Sequence, residues 1–336
     1  MVKNFNEYIK ILEEKINKAN TIAIASHMNP DGDNLGSKLC LYKLFKNLNK
    51  EVYVIENDQV PTAEKFLPGV EHLVDSDTLE DKKIDLMIVT DCGDIERIGR
   101  AESIFKKADF TVNIDHHKTN VEFADLNLVD MKAPAVCEFL YLILKQMNFS
   151  VDKDMATCLY TGISTDTGSF KYDSIRPLTF EVAIELLKIG IDINKITVNL
   201  YQRRSKEKTE LLIRALNNIR YYENNKIGLV SINEKDIFET GARKSDSDGI
   251  VEFVRDIDGI ELSIFINEKK DYYKLSTRSK TYVDCTKIAK VFGGGGHIRA
   301  AGATLYKKDY PNLCDAINRI IDLSSNEIWY GWNFIN

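Results

Sequence analysis

Short apolar segments alternate with amphipathic, helix-like segments along the first half of the chain. Residues 36–48, GSKLCLYKLFKNL, have apolar side chains at helical spacing. The apolar segments themselves are TIAIAS (21–26), EVYVI (51–55), DLMIVT (85–90) and FTVNI (110–114). Alternation of this kind is typical of a mostly parallel sheet with helices on both faces. We therefore predict an α/β fold for this half of the chain.

The pattern changes after residue 190. Residues 191–225 are charged and helix-like, which predicts a helical linker. Beyond it, KIGLVSI, ELSIFI and YYKLSTRS read as strands, while GIVEFVRDI and PNLCDAINRIIDL read as helices. We predict an N-terminal domain at 1–190 and a smaller α+β domain at 226–336.

Ionisable residues directly follow three of the four apolar segments. In an open α/β sheet the carboxyl ends of the strands lie along one edge, so residues distant in sequence converge there. The three clusters are His27 with Asp31 and Asp33, Asp91 with Asp94, and Asp115 with His116 and His117. Asp166, in LYTGISTDTGSFKY (159–172), is a fourth candidate. We expect these side chains to share one site.

Each cluster alone also allows a simpler interpretation. Asp33 or Asn34 could begin a helix as its N-cap, and Asp91 could do the same for the next helix. Asp166 alone could be an ordinary loop residue. The histidines favour a common site, because of the five in the chain only His72 lies outside these clusters and a glycine-rich segment near the C terminus.

Mixed histidine and aspartate ligands favour manganese-like ions over calcium or thiolate-bound zinc. Two such ions about 3.5–4 Å apart are suited to hydrolysing a phosphate ester, and they need roughly five to seven protein ligands. The candidate ligands are His27, Asp31, Asp33, Asp91, His116 and Asp166. We therefore predict a phosphoesterase with two divalent metal ions, manganese being the favoured ion.

Several motifs resemble those of the DHH phosphoesterase family. The four N-terminal ones occur in the family's order and are HMNPDGDNLGS (27–37), TDCGD (90–94), NIDHHKTN (113–120) and STDTGSF (164–170). KLSTRSK (274–280) and FGGGGHIRAAG (292–302) resemble the DHH-associated C-terminal domain. The resemblance covers nearly the whole chain and is greatest to small members that act as oligoribonucleases and phosphoadenosine phosphate phosphatases.

This resemblance implies a role for each motif residue. Asp91 would bridge the two ions, and His117 would contact the scissile phosphate or help to protonate the leaving oxygen. Asp115 would orient the ligand histidine by a hydrogen bond without binding an ion itself. Asn34 departs from the family, whose members usually have a small residue there. One ion would be held by His27, Asp31 and Asp91, and the other by Asp33, Asp91, His116 and Asp166.

The glycine-rich segment near the C terminus is a candidate phosphate-binding site. Consecutive glycines disfavour regular structure and bring backbone N–H groups close to a ligand, and a concave group of N–H donors suits an anion. A flexible turn is the simpler interpretation. The resemblance favours substrate binding by Arg278, Gly294, Gly295, Gly296 and His297. It thus implies a catalytic domain at 1–190 and a substrate-binding domain at 226–336, with the active site in the cleft between them.

Composition narrows the substrates and the location. A net charge of −6 opposes a broad basic surface for long duplex nucleic acid. The six cysteines include no C-x-x-C pair, which argues against a disulfide framework or a structural zinc site. The first 20 residues lack a signal peptide's apolar centre, and no apolar run is long enough to span a membrane. We expect a cytoplasmic protein.

The predicted substrates are short RNA oligonucleotides, cut to mononucleotides, and the nucleotide bisphosphate 3′-phosphoadenosine 5′-phosphate, converted to AMP. Within enzymes, the alternatives are a phosphodiesterase for linear or cyclic dinucleotides and a pyrophosphatase or polyphosphatase. A non-catalytic nucleotide sensor is an alternative of a different class. The oligomeric state stays open, with a homodimer as one option.

Overall fold

The structure is a computed structural model that describes the backbone of residues 5–335 and the side chains of residues 5–329. The chain divides between Arg203 and Arg204 into an N-terminal and a C-terminal compact unit. Each unit has its own sheet.

The N-terminal unit is built around a six-stranded sheet in which every strand pair is parallel. The strand order is β3-β2-β1-β4-β5-β6. Its strands are β1 (Thr21–Ala25), β2 (Glu51–Ile55), β3 (Leu73–Val74), β4 (Leu86–Thr90), β5 (Thr111–Asp115) and β6 (Leu126–Val129). Its α-helices are α1 (Phe5–Lys18), α2 (Gly32–Asn47), α3 (Glu102–Phe105), α4 (Val136–Gln146), α5 (Lys153–Asp166), α6 (Pro177–Lys188) and α7 (Ile193–Tyr201). Three 3₁₀ helices lie at Val70–His72, Ser76–Leu79 and Ile95–Ala101.

Helices cover both faces of this sheet, as predicted. On one face, side chains of α1, α2, α4 and α5 form a buried core with Ile22, Ile24 and Ile88 of the strands. On the other face, the 3₁₀ helix Ile95–Ala101 and α3 pack against Met87 and Val89. The four predicted strands match β1, β2, β4 and β5 closely. The sequence pattern missed β3 and β6, which have only two and four residues.

The C-terminal unit contains a mixed six-stranded sheet of order β11-β12-β10-β9-β8-β7. Its only parallel pair among the described strands is β8 with β9. The strands are β7 (Arg220–Tyr222), β8 (Ile227–Asn233), β9 (Leu262–Glu268), β10 (Tyr272–Ser279), β11 (Gly295–His297) and β12 (Ala300–Tyr306). The α-helices are α8 (Lys206–Asn217), α9 (Glu234–Thr240), α10 (Ile250–Arg255), α11 (Cys285–Val291) and α12 (Leu313–Ile335), and a fourth 3₁₀ helix lies at Lys244–Ser247.

The segment predicted as a linker, 191–225, contains two helices with buried faces. Ile196 of α7 belongs to the main core of the N-terminal unit. Leu211 and Ala215 of α8 pack with Val230 and Ile250 in the C-terminal unit. The domain boundaries at 190 and 226 stay predictions.

The glycine run is more regular than predicted. Gly295, Gly296 and His297 form β11, which pairs antiparallel with β12. A Cβ atom at Gly294 would lie 2.1 Å from the carbonyl oxygen of Gly302, and one at Gly296 would lie 2.4 Å from that of Ala300. Glycine is therefore required here by the close approach of two backbone segments, which the sequence pattern does not reveal.

The last helix, α12, continues well beyond the predicted segment 311–323. The side chains from 330 onwards in the aromatic tail lie outside the described residues. Of the helices that the structure describes between residues 5 and 335, none has the length and apolar character needed to cross a membrane.

Candidate metal centre

The six predicted ligands converge at the carboxyl ends of β1, β4 and β5. Their side chains form overlapping groups in which the potential ligand atoms lie within 4.8 Å of one another. The groups are His27 with Asp31 and Asp91, Asp33 with His116 and Asp166, and Asp91 with His116 and His117. The chain topology thus unites residues from four sequence segments. Their role as metal ligands stays a prediction.

The turn between β1 and α2 places His27 and Asp31. His27 donates from Nδ1 to the carbonyl oxygen of Met28 at 2.8 Å, which leaves Nε2 as the potential ligand atom. Asp31 is the N-cap of α2, because its Oδ1 accepts the N–H groups of Asp33 and Asn34 at 3.1 and 3.0 Å. The alternative in which Asp33 or Asn34 caps this helix is wrong. Oδ2 of Asp31 lies 3.8 Å from Nε2 of His27.

Asp33 lies in the first turn of the same helix, is fully buried, and caps a different helix. Its carboxylate accepts the N–H groups of Val136 and Cys137 at 2.6 and 2.9 Å, at the start of α4. The N-cap position of α4 is Ala135, whose side chain cannot do this. The carboxylate is therefore held rigidly, and each oxygen keeps a lone pair for a metal ion.

Asp91 lies at the centre of the group. Its Oδ1 is 3.3 Å from Nε2 of His116, and its Oδ2 is 3.2 Å from Nε2 of His27. Its φ angle of 52° is in the left-handed region, which is uncommon for a residue other than glycine. Asp94, not Asp91, caps the following 3₁₀ helix by accepting the N–H of Glu96 at 3.0 Å. The capping interpretation of Asp91 is therefore wrong.

The two adjacent histidines after β5 have different partners. His116 donates from Nδ1 to the carbonyl oxygen of Ala133 at 3.1 Å, which leaves Nε2 facing the aspartates. His117 donates from Nδ1 to Oδ1 of Asp115 at 2.7 Å. We expected Asp115 to orient the ligand histidine; it instead orients His117, while a backbone carbonyl orients His116. Asn120 holds Asp115 in turn, by donating to its Oδ2 at 2.6 Å.

Asp166 ends helix α5 and is not a loop residue. Its Oδ2 lies 3.6 Å from Nε2 of His116. The chain then turns sharply through Gly168, Ser169 and Phe170, with φ angles of 56°, 60° and 60°. Glycine tolerates this conformation, but Ser169 and Phe170 are strained in it, and strain of this kind clusters at functional sites.

The charges in this group are unfavourable without a cation. Burial and the charge of Asp91 raise the pKa of Asp33 to about 7. Burial together with Asp33 and Asp91 raises the pKa of Asp166 well above its ordinary value. Burial also raises the pKa of Asp91, but hydrogen bonds from His116 and His27 outweigh it and hold that pKa below its usual range. The group resembles a cation site because excess negative charge is concentrated where little water can screen it.

The predicted substrate-binding residues lie in the C-terminal unit. Arg278 donates from Nε to Oε1 of Glu252 at 2.9 Å, so a phosphate would have to share this arginine with a carboxylate. His297 is exposed on β11. A cavity of about 440 Å³ lies beside the glycine run and is lined in part by Lys274, Ser276, Phe292, Gly294, Gly302 and Tyr306.

Residues 21–163 match the DHH family N-terminal domain, and residues 224–323 match the DHHA1 domain. The chain is 32% identical over 308 residues to the bifunctional oligoribonuclease and PAP phosphatase NrnA of Thermus thermophilus, covering 91% of this chain and 90% of that protein. The chain belongs to the DHH family.

Two further relatives support this membership. The bifunctional oligoribonuclease and PAP phosphatase NrnA of Bacillus subtilis is 28% identical to this DHH-family chain over 297 residues, covering 86% of the chain and 90% of the relative. The solved structure of an exopolyphosphatase-related protein from Bacteroides fragilis superposes with a TM-score of 0.88 at 26% identity, covering 97% of this chain and 98% of the other.

Sequence reasoning missed several residues that hold the DHH-family site together. Asn113 and Asn120 support Asp115, since Asn120 donates to both Asp115 and Asn113. Asp130 and Arg176 form an ion pair at 2.9 Å. A signal for Asp130 was present, because it directly follows β6 just as Asp91 directly follows β4. It went unnoticed because β6 itself was missed.

Proposed function

We propose that this DHH-family chain is a phosphoesterase that uses two divalent metal ions, most favourably manganese. It hydrolyses short oligoribonucleotides to mononucleotides and 3′-phosphoadenosine 5′-phosphate to AMP, in the cytoplasm. The observation that carries the proposal is the position of Asp91, whose two oxygens lie 3.3 and 3.2 Å from Nε2 of two different histidines. A carboxylate placed in this way is suited to bridging two ions. Two relatives named as oligoribonuclease and PAP phosphatase support the choice of substrate.

The donor set fits two divalent ions. Hydrogen bonds to backbone carbonyls occupy Nδ1 of both His27 and His116, which fixes Nε2 as the ligand atom in each ring. The four aspartates supply hard oxygen ligands, and no thiolate is among the grouped residues in the described part of the chain. This combination of ligands favours manganese over an ion that prefers thiolate ligands.

His27, Asp31 and Asp91 would hold one ion, and Asp33, Asp91, His116 and Asp166 the other. When bound, the two ions supply an activated water, neutralisation of the phosphate oxygens and stabilisation of the leaving oxygen.

His117 and Asp115 complete the chemistry from the protein side. Because Nδ1 of His117 donates to Asp115, its Nε2 is the atom that can reach a substrate. In a His117 protonated at Nε2, that atom would donate to the phosphate or to the leaving oxygen. Asp115 would stabilise the resulting charge, since it is fully buried and hydrogen-bonded to His117. The side chain of His117 is 32% exposed, which leaves it accessible to a substrate.

The C-terminal unit would bind the nucleotide. Arg278 and His297 supply cationic or donor groups for a phosphate, and Gly294, Gly295 and Gly296 allow a close approach to the backbone. The neighbouring cavity of about 440 Å³ is within the usual size range of small-molecule sites. Arg278, His297 and the glycine run would serve about two or three phosphates, and the net charge of −6 opposes a long basic groove, so short substrates are favoured.

A substrate panel tests this function. Purified full-length protein is incubated with 5′-phosphorylated RNAs of two to five nucleotides, 3′-phosphoadenosine 5′-phosphate, linear and cyclic diadenylate, and pyrophosphate. Each substrate is tested with manganese, magnesium and zinc. The proposal expects the highest kcat/KM with manganese on short RNA or the bisphosphate. Fastest turnover of pyrophosphate or a cyclic dinucleotide would replace it, and nucleotide binding without any turnover would indicate a sensor.

A further inference from the structure

Arg176 forms ion pairs with two carboxylates, those of Glu138 and Asp130, close in the fold to residues that orient the candidate metal ligands. Its Nε donates to Oε1 of Glu138 at 2.6 Å, and its Nη2 donates to Oδ2 of Asp130 at 2.9 Å. Glu138 is fully buried, and the side chain of Asp130 is only 12% exposed. A planar guanidinium is suited to holding two carboxylates at fixed positions, whereas a lysine ammonium is not.

One of these carboxylates, that of Asp130, belongs to the turn that orients His116. The N–H of Asp130 donates to the carbonyl oxygen of Asp115 at 3.0 Å, and the N–H of Ala133 donates to the carbonyl oxygen of Asp130 at 2.9 Å. The carbonyl oxygen of Ala133 then accepts from Nδ1 of His116 at 3.1 Å. The ring orientation of His116 thus depends on the 130–133 turn, and Arg176 restrains this turn through its hydrogen bond to Asp130.

The other carboxylate lies on the helix that holds Asp33. Glu138 is in the first turn of α4. The first two N–H groups of this helix, those of Val136 and Cys137, donate to the Asp33 carboxylate. Arg176 therefore ties together the two structures that orient Asp33 and His116. These two residues form one of the candidate ligand groups with Asp166.

We propose that Arg176 is a positioning residue for the metal site formed by Asp33, His116 and Asp166, holding α4 and the 130–133 turn at the spacing which that ion needs. The inference rests on the proposed two-metal function. It concerns one of the two sites, because His27 and Asp31 are oriented by the turn before α2, which Arg176 does not contact in the hydrogen bonds described.

The test is manganese titration calorimetry on the full chain, with the EPR spectrum of the bound ions as a second readout. The variants are Arg176→Ala, Arg176→Lys and Asp130→Asn. Arg100→Ala is a matched control, because Arg100 also bridges two aspartates, Asp75 and Asp77, at 2.7 Å each but on the exposed surface. Thermal unfolding with a chelator checks that each variant is folded.

We expect Arg176→Ala to weaken one class of manganese site by about tenfold or more, the size usual for residues that orient metal ligands, and to spare the other class. The EPR signal of a coupled ion pair should give way to that of single ions at equal loading. Asp130→Asn should act in the same direction. Arg176→Lys should restore part of the loss, since an ammonium can replace one of the two contacts. Arg100→Ala should leave both classes unchanged.

Retention of both affinities in Arg176→Ala would overturn the inference. Equal weakening of both classes in proportion to lost thermal stability would also overturn it, because that pattern indicates a purely structural role. Wild-type protein that binds no manganese would overturn the proposed function itself, an outcome distinct from any change limited to the variants.

Discussion

Replacing Asp166 by asparagine should stabilise the metal-free protein while removing its activity. Asp166 has close contact with His116 at 3.6 Å and with Asp33, whose nearest ligand atom lies within 4.8 Å. At an effective dielectric constant of about 20, the attraction between Asp166 and a charged His116 and the repulsion between Asp166 and Asp33 are each about 4 kcal/mol, so they nearly cancel. The repulsion from Asp91 and the cost of burial remain, and both raise the pKa of Asp166.

We therefore expect Asp166→Asn to raise the free energy of unfolding of the metal-free protein at neutral pH, because it removes a carboxylate whose charged form is disfavoured by burial and by its neighbours. A gain of about 1–2 kcal/mol is the usual size of a single-residue effect. The side chain of Asp166 has no hydrogen bond among the described residues that would reduce this gain, because its 3.6 Å contact with Nε2 of His116 is too long for one. For a unit of this size, the corresponding rise in Tm is about 2–8 °C.

The assay is thermal unfolding by circular dichroism in the presence of a chelator, repeated with excess manganese. Manganese at a hundred times its Kd should stabilise the wild type by about 2.7 kcal/mol per independent site, and it should stabilise Asp166→Asn much less. With excess manganese the wild type should therefore have the higher melting temperature, the reverse of the order with chelator. Asp173→Asn, an exposed aspartate seven residues later, is the control and should melt like the wild type.

The same charges predict a pH dependence for the metal-free wild type. Because the folded-state pKa of Asp33 is raised from 3.8 to about 7, the folded state binds this proton more tightly than the unfolded state does. This contribution to stability is present below pH 4 and is lost as the pH rises through about 7.

A metal-free Asp166→Asn protein that melts at or below the wild-type temperature would refute the reasoning, since its premise is mutual repulsion.

Three further predictions concern the substrate. Arg278→Ala and His297→Ala should chiefly raise KM for short RNA and leave manganese affinity unchanged by calorimetry; a loss of metal affinity would place either residue at the ions instead. Asp115→Asn should lower kcat and spare metal binding, because it disturbs only the orientation of His117; an unchanged kcat would contradict that role. Affinity for RNA should fall with log salt with a slope no steeper than about −2, and a 24-mer should be cut more slowly than a dimer or pentamer; fast, strongly salt-dependent cleavage of the 24-mer would favour an exonuclease for long strands.

The sheet of the N-terminal unit could be predicted because hydrophobic pattern and burial coincide there. All residues of β4 and β5 are buried. β4 therefore appears in the sequence as a nearly continuous apolar run, and β5 was recognised from Val112 and Ile114 although it also contains Asn113 and Asp115. The convergence of Asp91 and His116 followed from the same pattern, because residues after parallel strands share one edge of the sheet. The position of Asp166 needed the motif resemblance, because it ends a helix rather than a strand.

The contacts that orient these side chains could not be predicted. Asp33 caps a helix 103 residues away in the chain, and no local pattern encodes a hydrogen bond of that sequence separation. The same holds for Arg176, which reaches Asp130 across 46 residues and Glu138 across 38. The glycine run was misjudged for a related reason, because its packing against Gly302 depends on the pairing of β11 with β12.

The most direct test of the two-metal proposal is the turnover of a 5′-phosphorylated RNA dimer by Asp91→Asn with saturating manganese. His72→Ala is the control, because His72 has a half-exposed side chain and lies outside the ligand groups described. If Asp91 bridges both ions, Asp91→Asn should reduce kcat/KM by more than about a hundredfold, since it removes shared electrostatic stabilisation from both sites, while His72→Ala should keep wild-type activity. Activity of Asp91→Asn within about tenfold of the wild type, a barrier change of only about 1.4 kcal/mol, would contradict the bridging role.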